Sequence, residues 1–172
     1  MKRLSLSEIT GIAEIIGSIA IVVSLIFVGL QVRQNTSQIA ANSVGTGLSF
    51  FEATNNLTTN PETVDVVLNG LNDFDGLSTS EKAEFDGLMF NVMTKFFMAR
   101  QFYLQGTVTE ADYASYEDTL ARIVRSPGAM TWWAHAKHVM APDGRAVIDD
   151  IIRRYADIEP TSSYYKFAPQ TQ

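Results

Sequence analysis

The chain has 172 residues, with 13 Lys and Arg against 19 Asp and Glu, a formal net charge of −6 and no cysteine. The missing cysteine excludes disulfides, thiolate nucleophiles and Cys-ligated metal sites. The acidic balance, without a basic patch, argues against nucleic acid as a partner and against a domain lying flat on anionic lipid.

Lys2 and Arg3 carry positive charge, and the polar run around Ser5 to Glu8 reads as a helix start. From Ile15 to Val32 no charged residue occurs, and twelve of these positions are Ile, Val, Leu or Phe. At roughly −0.3 to −0.6 kcal/mol each for insertion, they supply about −4 to −7 kcal/mol. Counted from Ile9, the helix reaches roughly 36 Å, enough to cross a hydrocarbon core of about 30 Å with some tilt. Glu14 opposes insertion only weakly, because it sits at the edge of the segment and can snorkel to the interface. A cleaved signal peptide fits less well. The apolar run exceeds an ordinary signal core, and Leu30-Gln31-Val32-Arg33-Gln34 offers no small-x-small cleavage site. Residues 1–33 are therefore expected to be an uncleaved, single-pass anchor in contact with membrane lipid. The basic residues before it place the N-terminus in the cytoplasm and the C-terminal domain outside it.

One stripe of this helix is small. Ala13, Gly17, Ala20 and Ser24 recur at spacings of 4, 3 and 4, and Gln31 shares their arc. Lipid gains nothing from small residues, whereas a neighbouring helix can approach closely over them. The stripe is read as a docking face for a second copy or for another membrane protein, with Glu14 as its intramembrane polar neighbour.

Residues 34–59 read as a helical neck, polar at first, with Gly45 and Gly47 each weakening a helix by roughly 1 kcal/mol relative to Ala. Leu48, Phe50 and Phe51 are expected to re-enter a core. The Asn35-Thr36-Ser37 and Asn56-Leu57-Thr58 glycosylation triplets are treated as accidents. A bundle domain is assigned to 60–158. Thr59-Asn60-Pro61-Glu62 stands in helix-start order and predicts a helix from Pro61 to about Leu71. Asn72-Asp73-Phe74-Asp75-Gly76 is a turn and not a calcium loop, since the final ligand position would fall on Lys82.

Ser78 with Glu81 forms a capping box that opens the longest helix of the bundle, about Thr79 to Leu104. Its apolar residues, among them Phe85, Met89, Val92, Met93, Phe96 and Phe97, cover more than one face, so it should sit centrally. Thr109 with Asp112 caps the next helix, to about Arg125. At Ser126-Pro127-Gly128 the chain breaks, and Ser126 can cap a helix that starts at Pro127. Asp143 is expected to cap a last helix carrying Val147, Ile148, Ile151 and Ile152. Residues 159–172 form a flexible tail with three aromatic rings. Adjacent helical residues sit about 100° apart, so Trp132 and Trp133 can both be core only if their helix is enclosed. Core is the commoner fate for Trp. Its frequency in interface hot spots makes Trp132 and Trp133 candidate partner anchors, together with Tyr164, Tyr165 and Phe167 of the tail.

Three passages together carry a likeness: Ala13-Glu14-Ile15-Ile16-Gly17 through Val28-Gly29-Leu30-Gln31-Val32-Arg33-Gln34-Asn35-Thr36, the helix start from Leu77 to Phe85, and Ser126-Pro127-Gly128 with Trp132-Trp133. The chain, up to about Tyr155, resembles a group of small uncharacterised bacterial membrane proteins with one N-terminal span and a helical C-terminal domain. That resemblance implies a bacterial membrane protein, expected in the inner membrane, and carries no assigned activity; the periplasmic placement of the domain rests on the charges flanking the span and not on the resemblance. The group usually has more Arg and Lys just after the span than this chain does.

No catalytic constellation stands out. His135 and His138 lie one helical turn apart, but a metal site needs a third ligand and only Asp143 is near. The pairs Glu117-Asp118 and Asp149-Asp150 point to different sides of a helix and cannot share a proton. The expectation is an all-α protein with one transmembrane helix, an extended neck and a bundle of four to five helices, with no cofactor, no metal and no catalysis. It would be a membrane-tethered interaction protein, acting as a self-assembling scaffold or as an accessory subunit of a larger membrane complex. The rival is a ligand-binding or enzymatic domain with an apolar groove along the 79–104 helix, which polar groups converging near Arg100, Gln101 and His138 would support.

Overall fold

In the computed structural model, which describes residues 6–165, the periodic segments form seven α-helices and one 3-10 turn, with no strand among the described residues. The helices are α1 (Leu6–Thr59), α2 (Val64–Asn72), α3 (Thr79–Leu104), α4 (Glu110–Val124), α5 (Pro127–Ala136), α6 (Pro142–Arg154) and α7 (Thr161–Tyr164), with the 3-10 turn at Lys137–Val139. Two compact units are present, Met1–Asn42 and Ser43–Gln172.

Among the described residues, the first unit is α1 as far as Asn42, the apolar stretch together with the polar turns that follow it. Ser18, Thr36 and Ser37 donate their hydroxyls to the carbonyls of Glu14, Val32 and Arg33, four residues back in each case. Polar side chains that satisfy themselves in this way can ride in a long helix without competing for its backbone.

The second unit begins inside the segment expected to be a neck. Ser43, Phe50, Ala53 and Leu57 of α1 are all buried. Leu48 is not: it is 65 % exposed, whereas Phe50 is fully buried and Phe51 half-buried. Gly47 explains why the helix tolerates a glycine here. A Cβ at that position would overlap the Tyr116 hydroxyl, so the missing side chain lets α4 press its tyrosine against α1.

Helix α3 is the axis of this unit. The capping box forms as expected, with Ser78 N–H donating to Glu81 Oε2 at 2.8 Å and Glu81 N–H to Ser78 Oγ at 3.4 Å. Phe96 of α3 packs on Phe50 of α1 at 6.0 Å between ring centroids and on Tyr113 of α4 at 5.9 Å. Phe85, also of α3, meets Trp132 of α5 edge-on at 6.3 Å. These rings are fully buried or nearly so, each contributing on the order of 1.5–3 kcal/mol of burial.

Other boundaries move for local reasons. Helix α2 starts at Val64 because Asn60 Oδ1 takes the Glu62 N–H at 3.0 Å, which holds 61–63 in a turn. Thr109 caps α4, accepting from Asp112 N–H at 3.2 Å. Ser126 does not cap α5. Its hydroxyl donates to the Arg122 carbonyl and accepts the Ser162 N–H at 3.3 Å, which ties α7 to the end of α4. Asp143 lies within the first turn of α6 rather than at its cap, where Ala141 stands before Pro142. The segment from Thr161 is a short helix with Ser162 buried, not a free tail as far as Tyr165.

Candidate functional site

Two places could carry function: the exposed apolar face of α1 in the first unit, and a polar cleft in the second. On α1, the twelve large apolar side chains from Ile15 to Val32 are each between 52 % and 67 % exposed. An 18-residue window here has a mean hydropathy of 2.5, and none of it is buried. Gly17, Ala20, Ser24 and Gln31 are exposed, as is Glu14. A Cβ added at Gly17 would meet nothing within 4 Å, so no contact inside the chain requires that glycine. The Ala13 side chain lies outside the described residues.

The tryptophan pair is core. Trp132 is 1 % exposed and Trp133 4 %, so neither ring is an exposed anchor. Each points to a different wall and finds a different carboxylate: Trp132 Nε1 donates to Asp86 Oδ1 of α3 at 2.8 Å, and Trp133 Nε1 to Asp149 Oδ1 of α6 at 2.7 Å. Enclosure of α5 is what makes this double burial possible. At Gly128 a Cβ would overlap the Gly70 carbonyl oxygen and stand 2.8 Å from Phe74 N, so α5 begins almost in contact with the backbone of α2. The signal for this lay in the small residues of α5, since Gly128, Ala129 and Ala136 are buried alongside the rings.

Of the tail aromatics, Tyr164 is 58 % exposed but its hydroxyl accepts from Arg122 Nη1 at 2.9 Å. Tyr165 is half-buried, and Phe167 lies outside the described residues. Arg122 also binds Asp118 at 2.9 Å, and Arg125 Nη2 donates to the Ala156 carbonyl at 2.6 Å. Arg122 of α4 and Arg125 at its C-terminal end thus hold the C-terminal segment in place.

The polar cleft has a volume of ≈ 350 Å³ and is lined by residues of α3, α4 and α6. Among its lining residues is Glu117, whose side chain is 11 % exposed. Both of its oxygens accept from Arg154, at 2.8 Å from Nη1 and 2.9 Å from Nη2. Arg154 Nε donates in turn to Asp150 Oδ2 at 2.6 Å. These hydrogen bonds, that of Glu117 foremost, hold the guanidinium firmly protonated. Tyr103 and Tyr113 stack face to face, 4.2 Å apart and 5° from parallel. Burial pushes the Tyr113 hydroxyl well above the usual tyrosine range; the Glu117 carboxylate acts in the same direction and Arg100 opposes it. That phenol stays protonated throughout the physiological range and gives its proton to the Glu117 carboxylate.

Of the groups expected to converge on the α3 groove, Arg100 alone lines this cleft. Gln101 is exposed, and His138 sits in the 3-10 turn beyond α5. His135 faces Phe74, 6.5 Å between ring centroids, at a separate hollow lined by Lys82, Asp86 and Trp132. Among the described residues, no group of three or more His, Asp or Glu is placed to hold a metal ion. The paired acids separate as their spacing requires: Glu117 turns to Arg154 and Asp118 to Arg122, while Asp149 accepts from Trp133 and Asp150 from Arg154. No known family, curated protein or solved structure matches this chain.

Sequence reasoning missed the Glu117–Arg154 pair. Its partners are 37 positions apart, on helices whose packing no local pattern encodes.

Proposed function

We propose that this protein is a membrane-tethered interaction module. In this reading α1 crosses the bilayer once, and its Ala13, Gly17, Ala20, Ser24 and Gln31 face docks against another transmembrane helix. The observation that carries it is the exposure of all twelve large apolar side chains between Ile15 and Val32. A core helix of a soluble protein hides such residues, and leaving them in water costs on the order of 10 kcal/mol or more in total. Lipid removes that cost over most of the circumference. The small stripe then supplies the close approach that association in lipid requires. The basic residues ahead of the span favour a cytoplasmic N-terminus, with the second unit in the periplasm of a bacterial inner membrane.

Gentle native extraction followed by mass measurement tests the reading. A discrete homo-oligomer makes the protein a self-assembling scaffold, and co-purifying membrane subunits make it an accessory subunit. Recovery in the soluble fraction without detergent, or a lone monomer, overturns the proposal. The double variant Gly17→Leu/Ala20→Leu should abolish the assembly while leaving the second unit folded. Assembly that survives the two leucines removes the stripe as the contact.

A further inference from the structure

We propose that the cleft between α3, α4 and α6 binds a small monocarboxylate with a short apolar body, its carboxylate held by Arg100. Four charged side chains line this cleft: Arg100, Glu117, Asp150 and Arg154. Three of them are already committed to one another, because Arg154 spreads its guanidinium over both Glu117 and Asp150. Among the described residues, Arg100 takes part in none of the ion pairs and meets only the neutral Tyr113 hydroxyl, so its charge has no carboxylate of its own. A half-buried guanidinium beside an apolar wall is suited to a planar anion, which it grips with two parallel hydrogen bonds.

The surroundings narrow the class of ligand. Glu117 and Asp150 place negative charge around the cleft, which opposes a phosphate dianion more strongly than a single carboxylate. The Tyr113 hydroxyl gives its one proton to Glu117 and accepts from Arg100, so it orients the guanidinium and leaves the remaining guanidinium N–H groups to the ligand carboxylate. Tyr103, Leu104 and Val147 provide the apolar wall. A volume of ≈ 350 Å³ lies near the lower end of the range of roughly 300–1,000 Å³ found for ligand pockets, which limits the body to one ring or a short chain. The inference does not depend on membrane insertion, since every residue it uses belongs to the second unit.

The test is calorimetric titration of the full chain in lipid nanodiscs with phenylacetate, butyrate, phenylacetamide and inorganic phosphate. Saturable binding of phenylacetate or butyrate is expected, with phenylacetamide and phosphate at least tenfold weaker. Arg100→Gln should weaken carboxylate binding at least tenfold with an unchanged melting temperature, and it corrects for partition into lipid. Ala146→Trp, which fills the cleft from an exposed position, should remove binding as well and keeps the test decisive if Arg100→Gln fails to fold. Absence of saturable carboxylate binding, an amide or phosphate that binds as tightly, or a folded Arg100→Gln that retains wild-type affinity overturns the proposal.

Discussion

Replacing Arg154 by leucine should cost the second unit about 2–3 kcal/mol, and the reason lies in what it leaves behind. Glu117 keeps only 11 % of its side chain exposed and has both oxygens on Arg154. Removing one partner of a fully buried pair costs roughly 3–5 kcal/mol, because the other charge stays desolvated and alone. Arg154 itself is 41 % exposed, so water can reach the vacated space and screening brings the cost toward the lower figure. Asp150 loses less, since Arg153 remains beside it. Glu117→Leu should cost about 1 kcal/mol, because the freed guanidinium still has Asp150 and solvent. The double variant buries no orphan charge, and its cost should fall short of the sum of the two by about 1.5 kcal/mol. Urea unfolding followed by tryptophan fluorescence measures all four proteins, since both indoles lie in the core. The Arg154→Leu protein should also melt roughly 6–12 °C lower. Additivity of the two single changes within about 0.5 kcal/mol would refute the argument that this pair works as a desolvated unit.

Glycines give a contrast that thermal melts can read. Gly128→Ala forces a methyl into the Gly70 carbonyl and toward Phe74 N, and should destabilise by about 1–3 kcal/mol or more. Gly87→Ala, in the middle of α3 with nothing within 4 Å, should stabilise by up to about 1 kcal/mol. Acid should weaken the second unit through Glu81 and Asp150. Hydrogen bonds from Ser78 hold the Glu81 carboxyl below its ordinary value of 4.5, and those from Arg154 hold Asp150 below 3.8. Groups depressed in the folded state stabilise it fully above those ordinary values and lose that contribution as pH falls through the lowered ones. Denaturation midpoints should therefore decline below about pH 4.5, and Glu81→Gln should flatten the upper part of that decline.

What the sequence could disclose divides by range. Ser78 and Glu81 are three residues apart and act through their own backbone, so the start of α3 is legible to the residue. Thr109 marks α4 in the same way, and the Ile148/Ile151 face of α6 follows from spacing alone. Asp143 fails as a cap because it stands inside the first turn, one residue past Pro142, and Ser126 because its hydroxyl is taken by the Arg122 carbonyl and the Ser162 N–H. Leu48 and Phe50 look equally apolar in one dimension. Only the position of α3 and α4 decides that Phe50 goes in and Leu48 stays out. For the tryptophan pair the only local sign of enclosure is the set of small residues in α5, and for the Glu117–Arg154 cleft, a product of helix packing, a local pattern has nothing to offer.

The burial of Phe50, Ala53 and Leu57 by the stretch from Ser43 to Thr59 has a consequence for shedding. A protease that severs the chain ahead of Ser43 would release a fragment with its aromatic interior entire. A cut just after Thr59 would instead strip Phe96 and Tyr116 of the ring between them and leave a remnant prone to aggregate.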